Sequence, residues 1–356
     1  MIIHATNSSG IGASHVISSF IKAADKMKLL KDATLYLPLY GPLKKDFVKD
    51  VKTIRYKRFL PNSLSRVIEC LLAKYIFPKD EFFIVLGDIP LRGINSQVVL
   101  VHQPHLVYPS INNNSSKNLK YKLIRFLFKI NLKYAKTIIV QTETISKELI
   151  LSYPSIINKI NVMPQPSPFD ENFKLPVRKT NSRNKKPIFI YPAGGYKHKN
   201  HSFLIKLEEY FKNNNITANF EIWVTLTEDE FTPFNQVSFI KNLGRKSINE
   251  IYEAYQRSDA LLFLSSAESY GLPLLEAMEF SLPIIVADLP YSRWMCENSA
   301  YYFKHNSITS FLETLEKLSF DINSGIVSDY SNELKKIPKS WNEVVQFFIK
   351  FESDNE

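Results

Sequence analysis

The chain has 356 residues, 45% of them apolar, which is enough for two domains that each bury a core. Its formal charge of +10, from 45 Lys and Arg against 35 Asp and Glu, favours an anionic partner such as a nucleic acid, an anionic membrane face or a phosphorylated ligand. Two cysteines and no signal-peptide pattern argue against a secreted disulfide-bonded protein and a cysteine-ligated zinc site, and no apolar run reaches the ~18 residues of a membrane span.

Apolar segments rich in β-branched residues alternate with helical patterns along the whole chain. The strands predicted in the first half are 1–6, 33–39, 82–88, 98–103 and 137–142. The strands predicted in the second half are 187–193, 220–226, 237–244, 260–266 and 283–288. Near-continuous apolar strands separated by helices are typical of parallel sheets that are covered on both faces. Because the pattern occurs twice, we expect two doubly wound α/β domains.

The polar and basic segment KLPVRKTNSRNKKP has no hydrophobic periodicity and indicates a linker between these domains. We therefore predict an N-terminal domain over 1–170, a linker over 171–186 and a C-terminal domain over 187–339. The last segment, 340–356, has the pattern of an amphipathic helix with Ser340 as its cap, and it is a candidate to return to the N-terminal domain.

The stretch SSAESYGLPLLEAMEFSLPIIVAD, residues 265–288, contains two glutamates, Glu268 and Glu276. A strand is predicted to end before Glu268, and the proline between the glutamates suits the first helical position, where its missing N–H costs nothing. Gly271 and Leu272 would then present backbone amides at a helix N-terminus, which favours an anion such as phosphate. The residues alone leave open a catalytic pair, a ligand clamp and two solvated acids at a helix start.

The order of several motifs resembles that of family-4 glycosyltransferases, which are retaining enzymes of bacterial polysaccharide and lipopolysaccharide synthesis. ESYGLPLLEAM followed by LPIIVAD resembles their motif of two glutamates separated by seven residues, and YPAGGYKHKNHSFLI resembles the segment with their diphosphate-binding lysine. The segments 239–266, 8–15 and 98–105 resemble the base-binding region, the N-terminal glycine-rich loop and the strand-end histidine segment. This resemblance implies the α/β fold called GT-B, in which two Rossmann-like doubly wound parallel-sheet domains face a central cleft.

The resemblance also assigns a role to each matching residue of the C-terminal half. Glu268 would lie beside the transferred sugar as a catalytic residue, and Glu276 would bind the ribose hydroxyls of the donor. Lys199 would neutralise negative charge on the leaving diphosphate. The amides of Gly271 and Leu272 would contact the sugar and the diphosphate.

One departure from the family pattern concerns the diphosphate. Many members carry an arginine five residues before the lysine, where this chain has Gly194. Either Lys197 or Arg245 would supply the second positive charge, or the site would use one cation. The family transfers sugar without a divalent metal, and this chain has no Asp-x-Asp cluster, so we expect no metal and no cofactor.

The N-terminal half contributes further candidate site residues. Gly12 lies in SSGIGASH, a segment that either forms a tight turn or lets a ligand approach the backbone, and in the family this loop faces the donor phosphates. His102 ends the strand VVLVH and is either structural or, in a strand end facing the cleft, a catalytic-site contact to sugar or acceptor. The resemblance to the family favours His102 over His105 for this contact. Asp88 is interpreted as a loop or cap residue.

The segment 117–136, KNLKYKLIRFLFKINLKYAK, has a strongly basic helical pattern. Its packed face is predicted to consist of Leu119, Leu123, Phe126, Leu127, Ile130 and Tyr134. The adjacent basic stripe consists of Lys122, Arg125, Lys129, Lys133 and Lys136. This stripe is either a solvated face or a peripheral contact with anionic lipid, which would suit a lipid-linked acceptor. No nucleic-acid partner is expected, because no binding motif of that kind is present.

The sequence thus predicts a cytoplasmic, metal-independent, retaining hexosyltransferase, peripheral to the inner membrane face if the basic stripe binds lipid. It would use a nucleoside diphosphate sugar and a saccharide or lipid-linked acceptor, in O-antigen, capsule or another surface polysaccharide. Two alternatives stay open. An NAD-dependent oxidoreductase would need a ribose-binding acid, for which Lys31–Asp32 is a poor match. A non-catalytic protein that binds nucleotide sugars or saccharides would share the two-domain architecture.

Overall fold

The computed structural model describes residues 1–7, 11–41, 43, 48–56, 62–107, 119–167 and 186–353. The chain divides into two compact units, one formed by Met1–Pro168 with Ile337–Glu356 and the other by Phe169–Lys336. The predicted linker lies outside the described residues except for Lys186, whose Nζ donates to the Ala218 carbonyl. None of the helices in the described ranges is long and apolar enough to cross a membrane.

The first unit is built on a seven-stranded sheet in which every neighbouring pair of strands is parallel. In chain order its strands are β1 (Ile2–His4), β2 (Thr34–Pro38), β3 (Lys52–Tyr56), β4 (Phe83–Val85), β5 (Gln97–Leu100), β6 (Thr137–Val140) and β7 (Ile160–Val162). Their spatial order is β3-β2-β1-β4-β5-β6-β7, so the chain reverses direction across the sheet between β1 and β4.

Helices cover this sheet. They are α1 (Ile11–Lys26), α2 (Asn62–Ile76), α3 (Pro104–Val107), α4 (Leu119–Asn131) and α5 (Glu143–Ser152), together with α13 (Trp341–Ser353) from the chain end. The inner strands β4, β5 and β6 are buried along their whole length, as a parallel sheet between two helical layers requires.

The second unit repeats the architecture with six parallel strands. They are β8 (Ile188–Tyr191), β9 (Glu221–Val224), β10 (Ile240–Asn242), β11 (Ala260–Phe263), β12 (Ile284–Ala287) and β13 (Tyr301–Phe303). The spatial order β10-β9-β8-β11-β12-β13 reverses between β8 and β11. The helices are α6 (Ser202–Asn213), α7 (Glu228–Phe231), α8 (Ile248–Arg257), α9 (Leu272–Glu279), α10 (Pro290–Cys296), α11 (Ile308–Asn323) and α12 (Ser331–Leu334).

All the predicted strands are present, and three strands of the structure were not predicted. These are β3, β7 and β13, and each lies at an edge of its sheet. Edge strands keep one side open to solvent, so most of their residues are only partly buried and they lack a continuous apolar run. The predicted fold class, two Rossmann-like parallel α/β domains, is confirmed.

The predicted packed face of α4 is wrong by one residue. Leu123 and Phe126 were assigned to it, but they are 41% and 58% exposed. The buried stripe runs instead through Ile124, Leu127, Phe128 and Asn131. Asn131 explains the rotation, because its side-chain amide donates to the backbone carbonyls of Cys70 and Pro90 at 3.2 and 2.8 Å. A polar residue that satisfies buried carbonyls occupies a core position that a pattern of apolar residues does not reveal.

The C-terminal helix α13 packs on α1 within the first unit. The rings of Phe20 and Phe348 meet edge to face with centroids 5.1 Å apart. At the start of the helix the Trp341 indole N–H donates to the Ser167 carbonyl at 3.1 Å. The chain end is therefore a structural layer of the first unit, although it follows the second unit in sequence.

We expect Phe348→Ala to destabilise the first unit by about 3–5 kcal/mol, because it removes a fully buried ring from the α1–α13 contact. Hydrogen exchange of the α1 amides measures the loss. Phe347→Ala is the matched control, since Phe347 is only partly buried on the same helix. Equal losses of protection in the two variants would contradict the packing argument.

Candidate functional site

The strand reversal in the second unit brings two loops together at the carboxyl ends of β8 and β11, which is where open parallel sheets bind ligands. The buried Tyr191 at the end of β8 joins them, because its hydroxyl bonds to the carbonyl of Lys199 and lies 3.2 Å from the hydroxyl of Ser265. The backbone N–H and the hydroxyl of Ser266 both donate to the His198 carbonyl, at 2.7 and 3.0 Å. The two loops are therefore fixed against each other.

Lys199 and Glu268, both predicted site residues, form an ion pair across these loops. The Lys199 ammonium donates to Glu268 Oε1 at 2.5 Å, and the two side chains are only 16% and 9% exposed. The ammonium also lies 5.6 Å from the centroid of the Phe263 ring. A pair so little exposed is screened weakly by solvent, so each charge fixes the position of the other.

Gly271 and Leu272 follow Glu268 at the start of α9. Gly271 has φ +86°, a left-handed conformation that suits glycine, and α9 begins at Leu272, one residue before the proline. Within the described part of the chain, neither the Gly271 nor the Leu272 amide donates a hydrogen bond. These two amides are therefore open donors at a helix N-terminus, where the helix dipole favours an anion.

Glu276 lies on α9 and is paired with a residue that sequence reasoning missed. The fully buried Tyr255 of α8 donates its hydroxyl to Glu276 Oε2 at 2.7 Å. Burial raises the pKa of Glu276 to about 7, and the hydrogen bond from Tyr255 opposes this rise only in part. Its Oε1 receives no hydrogen bond from a described residue. Glu276 is thus a partly buried acid with one acceptor oxygen still open.

The two candidates for a second cation differ in their surroundings. Lys197 is exposed, and no described residue forms an ion pair or hydrogen bond with its ammonium. The Arg245 guanidinium donates from Nη2 to both carboxylate oxygens of Glu230 at 2.9 Å. Arg245 also lies beside Gly194, the position at which the family arginine is missing.

The remaining predicted residues belong to the first unit. Gly12 is exposed in the first turn of α1, and among the described residues no side chain or backbone of another element lies within 4 Å of the position that a Cβ would take. His102 follows β5, and its backbone N–H donates to Asp88 Oδ1 at 2.8 Å. Asp88 also accepts from the Gln103 amide at 2.9 Å, so it positions the backbone that carries His102. His105 lies in α3, and its side chain is outside the described residues.

Tyr191, Tyr255 and Glu230 were not predicted as part of the site. Of these, Glu230 left a signal in the sequence, because TEDE at 227–230 has the pattern of a capping box. The tyrosines left none, because each bonds to residues of other elements, Tyr191 to Lys199 and Ser265 and Tyr255 to Glu276, and no sequence pattern marks such contacts. Among the described residues, no group of three His, Cys, Asp or Glu side chains is arranged to hold a metal ion.

Residues 174–324 match the family model described as "Glycosyl transferases group 1". This segment contains every predicted site residue of the second unit. The resemblance to glycosyltransferases is confirmed over this segment, which makes up most of the second unit.

Two proteins are similar in sequence to parts of this chain. The serotype-specific mannosyltransferase WbdA of Escherichia coli is 31% identical over 100 residues, which are 28% of this chain and 12% of that protein. The chain thus spans a small part of the length of WbdA. The O-antigen chain mannosyltransferase RfbU of Salmonella typhimurium is 24% identical over 265 residues, 71% of this chain and 70% of that protein.

Solved structures share the fold of the whole chain. Sucrose-phosphate synthase from Thermosynechococcus elongatus superposes with a TM-score of 0.71 at 13% identity, covering 99% of both chains. Anabaena Alr3699/HepE, solved in complex with UDP and glucose, gives 0.65 at 13% identity and covers 99% of this chain and 98% of that one. At this identity the likeness establishes the fold, GT-B, and nothing further.

The raised pKa of Glu276 predicts a pH-dependent effect of Glu276→Gln on stability. In the folded chain the carboxyl keeps its proton up to about pH 7, whereas in the unfolded chain it loses the proton near pH 4.5. Its contribution to the free energy of unfolding therefore falls between pH 4.5 and 7 and is level above 7. The free energy of unfolding of Glu276→Gln should therefore rise relative to that of the wild type as the pH increases through this window. The full shift corresponds to about 3 kcal/mol, and solvent that reaches the side chain makes the difference smaller.

Urea denaturation at pH 5 and pH 8 measures this difference. Tyr255→Phe provides a second arm, because it removes the hydrogen bond that favours the ionised carboxylate and should extend the window above pH 7. A Glu276→Gln effect of the same size at both pH values would show that burial does not control this carboxyl.

Proposed function

We propose that the chain is a metal-independent retaining glycosyltransferase that moves a hexose-type sugar from a nucleoside diphosphate sugar to a saccharide or lipid-linked saccharide acceptor. The observation that carries the proposal is the Lys199–Glu268 ion pair at the strand reversal of a group 1 glycosyl transferase domain. An anchored cation beside open backbone amides suits a diphosphate, and an anchored acid suits sugar hydroxyls.

The donor diphosphate is assigned to Lys199 and to the amides of Gly271 and Leu272. In the empty site, Glu268 balances the charge of Lys199. As the bond between sugar and diphosphate breaks, negative charge develops on the leaving phosphate oxygen. A cation and two amide donors held in place before the reaction stabilise this charge without reorganisation. Glu268 accepts hydrogen bonds from the hydroxyls of the transferred sugar.

The ribose of the donor is assigned to Glu276. Tyr255 already occupies one carboxylate oxygen, and the other is open, so a ribose hydroxyl would supply the missing donor. Binding would then favour the ionised carboxylate, which burial disfavours in the empty protein. Anabaena Alr3699/HepE, which shares the fold, is solved with UDP and glucose, so a nucleoside diphosphate is the ligand class to test first.

The acceptor is proposed from residues of the first unit, and the pathway is proposed from the names of two relatives. Gly12 and His102 of the first unit keep their proposed roles as contacts to the donor phosphates and to the sugar or acceptor, with Asp88 fixing the backbone of His102. The name of the relative RfbU favours O-antigen synthesis, and the names of RfbU and WbdA make mannose the first sugar to test.

A panel of UDP, GDP, dTDP, CMP and NAD at millimolar concentration tests the donor class by thermal shift. We expect one nucleoside diphosphate to raise the melting temperature, since a ligand at a hundred times its Kd adds about 2.7 kcal/mol, or roughly 5–10 °C for a unit of this size. Glu276→Ala should abolish the shift, measured from the variant's own melting temperature so that a change in stability alone does not count.

Stabilisation by NAD alone, or by no nucleotide, would contradict the proposal. A nucleoside diphosphate shift that survives in Glu276→Ala would remove Glu276 from the ribose site while leaving the donor class intact. Turnover of the matching nucleotide sugar with a saccharide acceptor, lost in Glu268→Ala, then separates an enzyme from a binding protein.

A peripheral contact with anionic lipid is also proposed, through a surface formed by α2 and α4, which pack together. Its exposed apolar side chains are Leu64, Ile68, Leu72, Tyr75, Ile76, Leu123 and Phe126. Its exposed basic side chains are Lys122, Lys129 and Lys133. The one acid within 62–79 and 119–136 is Glu69, which is fully buried and bonds to His4 Nε2 at 2.9 Å and Thr6 Oγ1 at 2.5 Å.

This combination favours a membrane face over solvent. Contiguous exposed apolar side chains are uncommon on a surface that faces only water. Lysines around them, with no exposed acid on either helix, add attraction to anionic headgroups of about 1 kcal/mol each. The lysines that sequence analysis assigned to a basic stripe therefore lie beside exposed apolar side chains, and the pair of features is typical of interfacial binding.

We expect Lys122→Glu with Lys129→Glu to weaken binding to vesicles of phosphatidylcholine and phosphatidylglycerol by about 30-fold or more, from the loss of about 2 kcal/mol of lipid attraction. Vesicle sedimentation measures the partition. Lys206→Glu with Lys317→Glu, an equal charge change at exposed lysines of the second unit, is the control and should have a much smaller effect. Equal losses would reduce the contact to non-specific attraction of a basic protein.

A further inference from the structure

Two glycines follow β8, and side chains from elsewhere in the second unit occupy the space above them. A Cβ on Gly194 would lie 3.4 Å from Arg245 Nη1 and 3.5 Å from Nη2. A Cβ on Gly195 would lie 2.8 Å from Glu230 Cγ, which is closer than real contacts allow. The Arg245–Glu230 ion pair therefore lies where the side chains of residues 194 and 195 would begin.

Glu230 is held from several directions. It closes a capping box with Thr227, whose backbone N–H donates to Glu230 Oε2 at 3.0 Å. Burial acts to raise the pKa of Glu230, but hydrogen bonds from the Thr227 and Gly195 backbone and the charge of Arg245 together lower it. Glu230 is thus an ionised group fixed to the glycine loop on one side and to Arg245 on the other.

The loop that carries Arg245 is also fixed. Asn242 Oδ1 accepts from the backbone amides of Gly244 and Leu226, each at 3.1 Å, and ties this loop to the segment before α7. Both hydrogen bonds from Arg245 to Glu230 come from Nη2. Its Nη1 lies above Gly194 and bonds to no described residue, so the guanidinium presents an open donor edge.

His201 links this pair to Lys199. Burial is the main cause that lowers the pKa of His201 to about 4, and the charge of Lys199 lowers it further while that of Glu230 acts in the opposite direction. Both charged groups therefore lie close to His201, which is itself neutral at neutral pH. Lys199 and the Arg245–Glu230 pair flank one short loop, and His201 adds no charge between them.

We infer that Arg245, positioned by Glu230, takes the place of a side chain at residue 194 and binds the donor diphosphate together with Lys199. The inference rests on the proposed function and deepens it. It selects Arg245 over Lys197, because Arg245 is fixed by an ion pair and lies against the loop, whereas no described residue pairs with the Lys197 ammonium. Glu230 is a positioning residue. Gly194 and Gly195 have no side chains and so leave the space that the Arg245–Glu230 pair occupies.

Isothermal titration with three ligands tests the inference: the nucleoside diphosphate selected by the thermal panel, its monophosphate and its phosphate-free nucleoside. Arg245→Ala should lower affinity for the diphosphate about 10- to 100-fold, as expected for a lost charge-assisted contact, and leave the nucleoside unchanged. Glu230→Gln should lower it about 10-fold, because Gln still closes the capping box but no longer holds the guanidinium by charge. A merely structural role would affect all three ligands alike.

Glu250→Gln is the matched control. Glu250 closes the capping box of α8 with Ser247 and pairs with Lys246, as Glu230 does with Thr227 and Arg245, but it does not contact the glycine loop. Its variant should keep the wild-type ratio between the affinities for the diphosphate and for the phosphate-free nucleoside. Equal losses in Glu250→Gln and Glu230→Gln would overturn the positioning role.

A rescue variant adds an independent readout. Gly194 lies outside the left-handed region, so an arginine fits its backbone, and removal of the Arg245 guanidinium vacates the space 3.4 Å away. Arg245→Ala with Gly194→Arg should regain most of the lost affinity for the diphosphate. Diphosphate binding that survives in Arg245→Ala but falls in Lys197→Ala would overturn the inference in favour of the other cation.

The outcomes also separate this inference from the proposed function. If no nucleoside diphosphate binds the wild type, both fail. If a nucleoside diphosphate binds, Glu276→Ala abolishes binding and Arg245→Ala leaves it intact, the donor site stands and the role of Arg245 is refuted.

Discussion

The bonds that join the loops after β8 and β11 are the constraint on which the candidate site depends. A reversal of strand order in a parallel sheet opens a crevice, but it leaves the loops around the crevice unplaced. Here the Tyr191 hydroxyl contacts Lys199 of one loop and Ser265 of the other, and the Lys199–Glu268 ion pair connects the loops through their side chains. Loss of Glu268 would leave the little-exposed Lys199 ammonium without its ion-pair partner, so the pair resists loosening. A ligand that binds there meets groups already ordered, which reduces the entropy lost on binding.

The same site contains an acid that folding alone does not favour. Glu276 is partly buried, its pKa is raised to about 7, and Tyr255 supplies one hydrogen bond where a carboxylate can accept several. A glutamine or a leucine at this position would cost less in stability at neutral pH. Retention of an ionisable group at such a place is understandable if a ligand supplies the missing donors. Burial of this acid therefore supports a binding role for Glu276 independently of the motif in which the residue lies.

The sequence revealed the parts of the molecule whose signal is local. Continuous apolar runs predicted the inner strands, and the fold class followed from their alternation with helices, whereas the edge strands β3, β7 and β13 lack such runs. The face of α4 was misjudged because Asn131, a polar residue, belongs to its buried stripe. In the candidate site, the motif located Glu268 and Glu276, but the partners Tyr255 and Glu230 were missed. Tyr255 lies 21 residues before Glu276 and Glu230 lies 15 residues before Arg245, each on a different element from its partner, so no local pattern encodes these contacts.

The Arg245–Glu230 pair and the Lys199–Glu268 pair follow one electrostatic rule. Both cations assigned to the diphosphate are paired with an acid, Lys199 with Glu268 and Arg245 with Glu230, so neither charge is left uncompensated. An acid beside a cation weakens the attraction of the site for anions at long range. The paired acid does not prevent the cation from donating hydrogen bonds to a bound anion. A guanidinium that uses one nitrogen for its partner keeps the other nitrogens as directional donors. Discrimination at such a site depends on the fit of a diphosphate to fixed donors, and bare glycines allow those donors to approach the loop backbone.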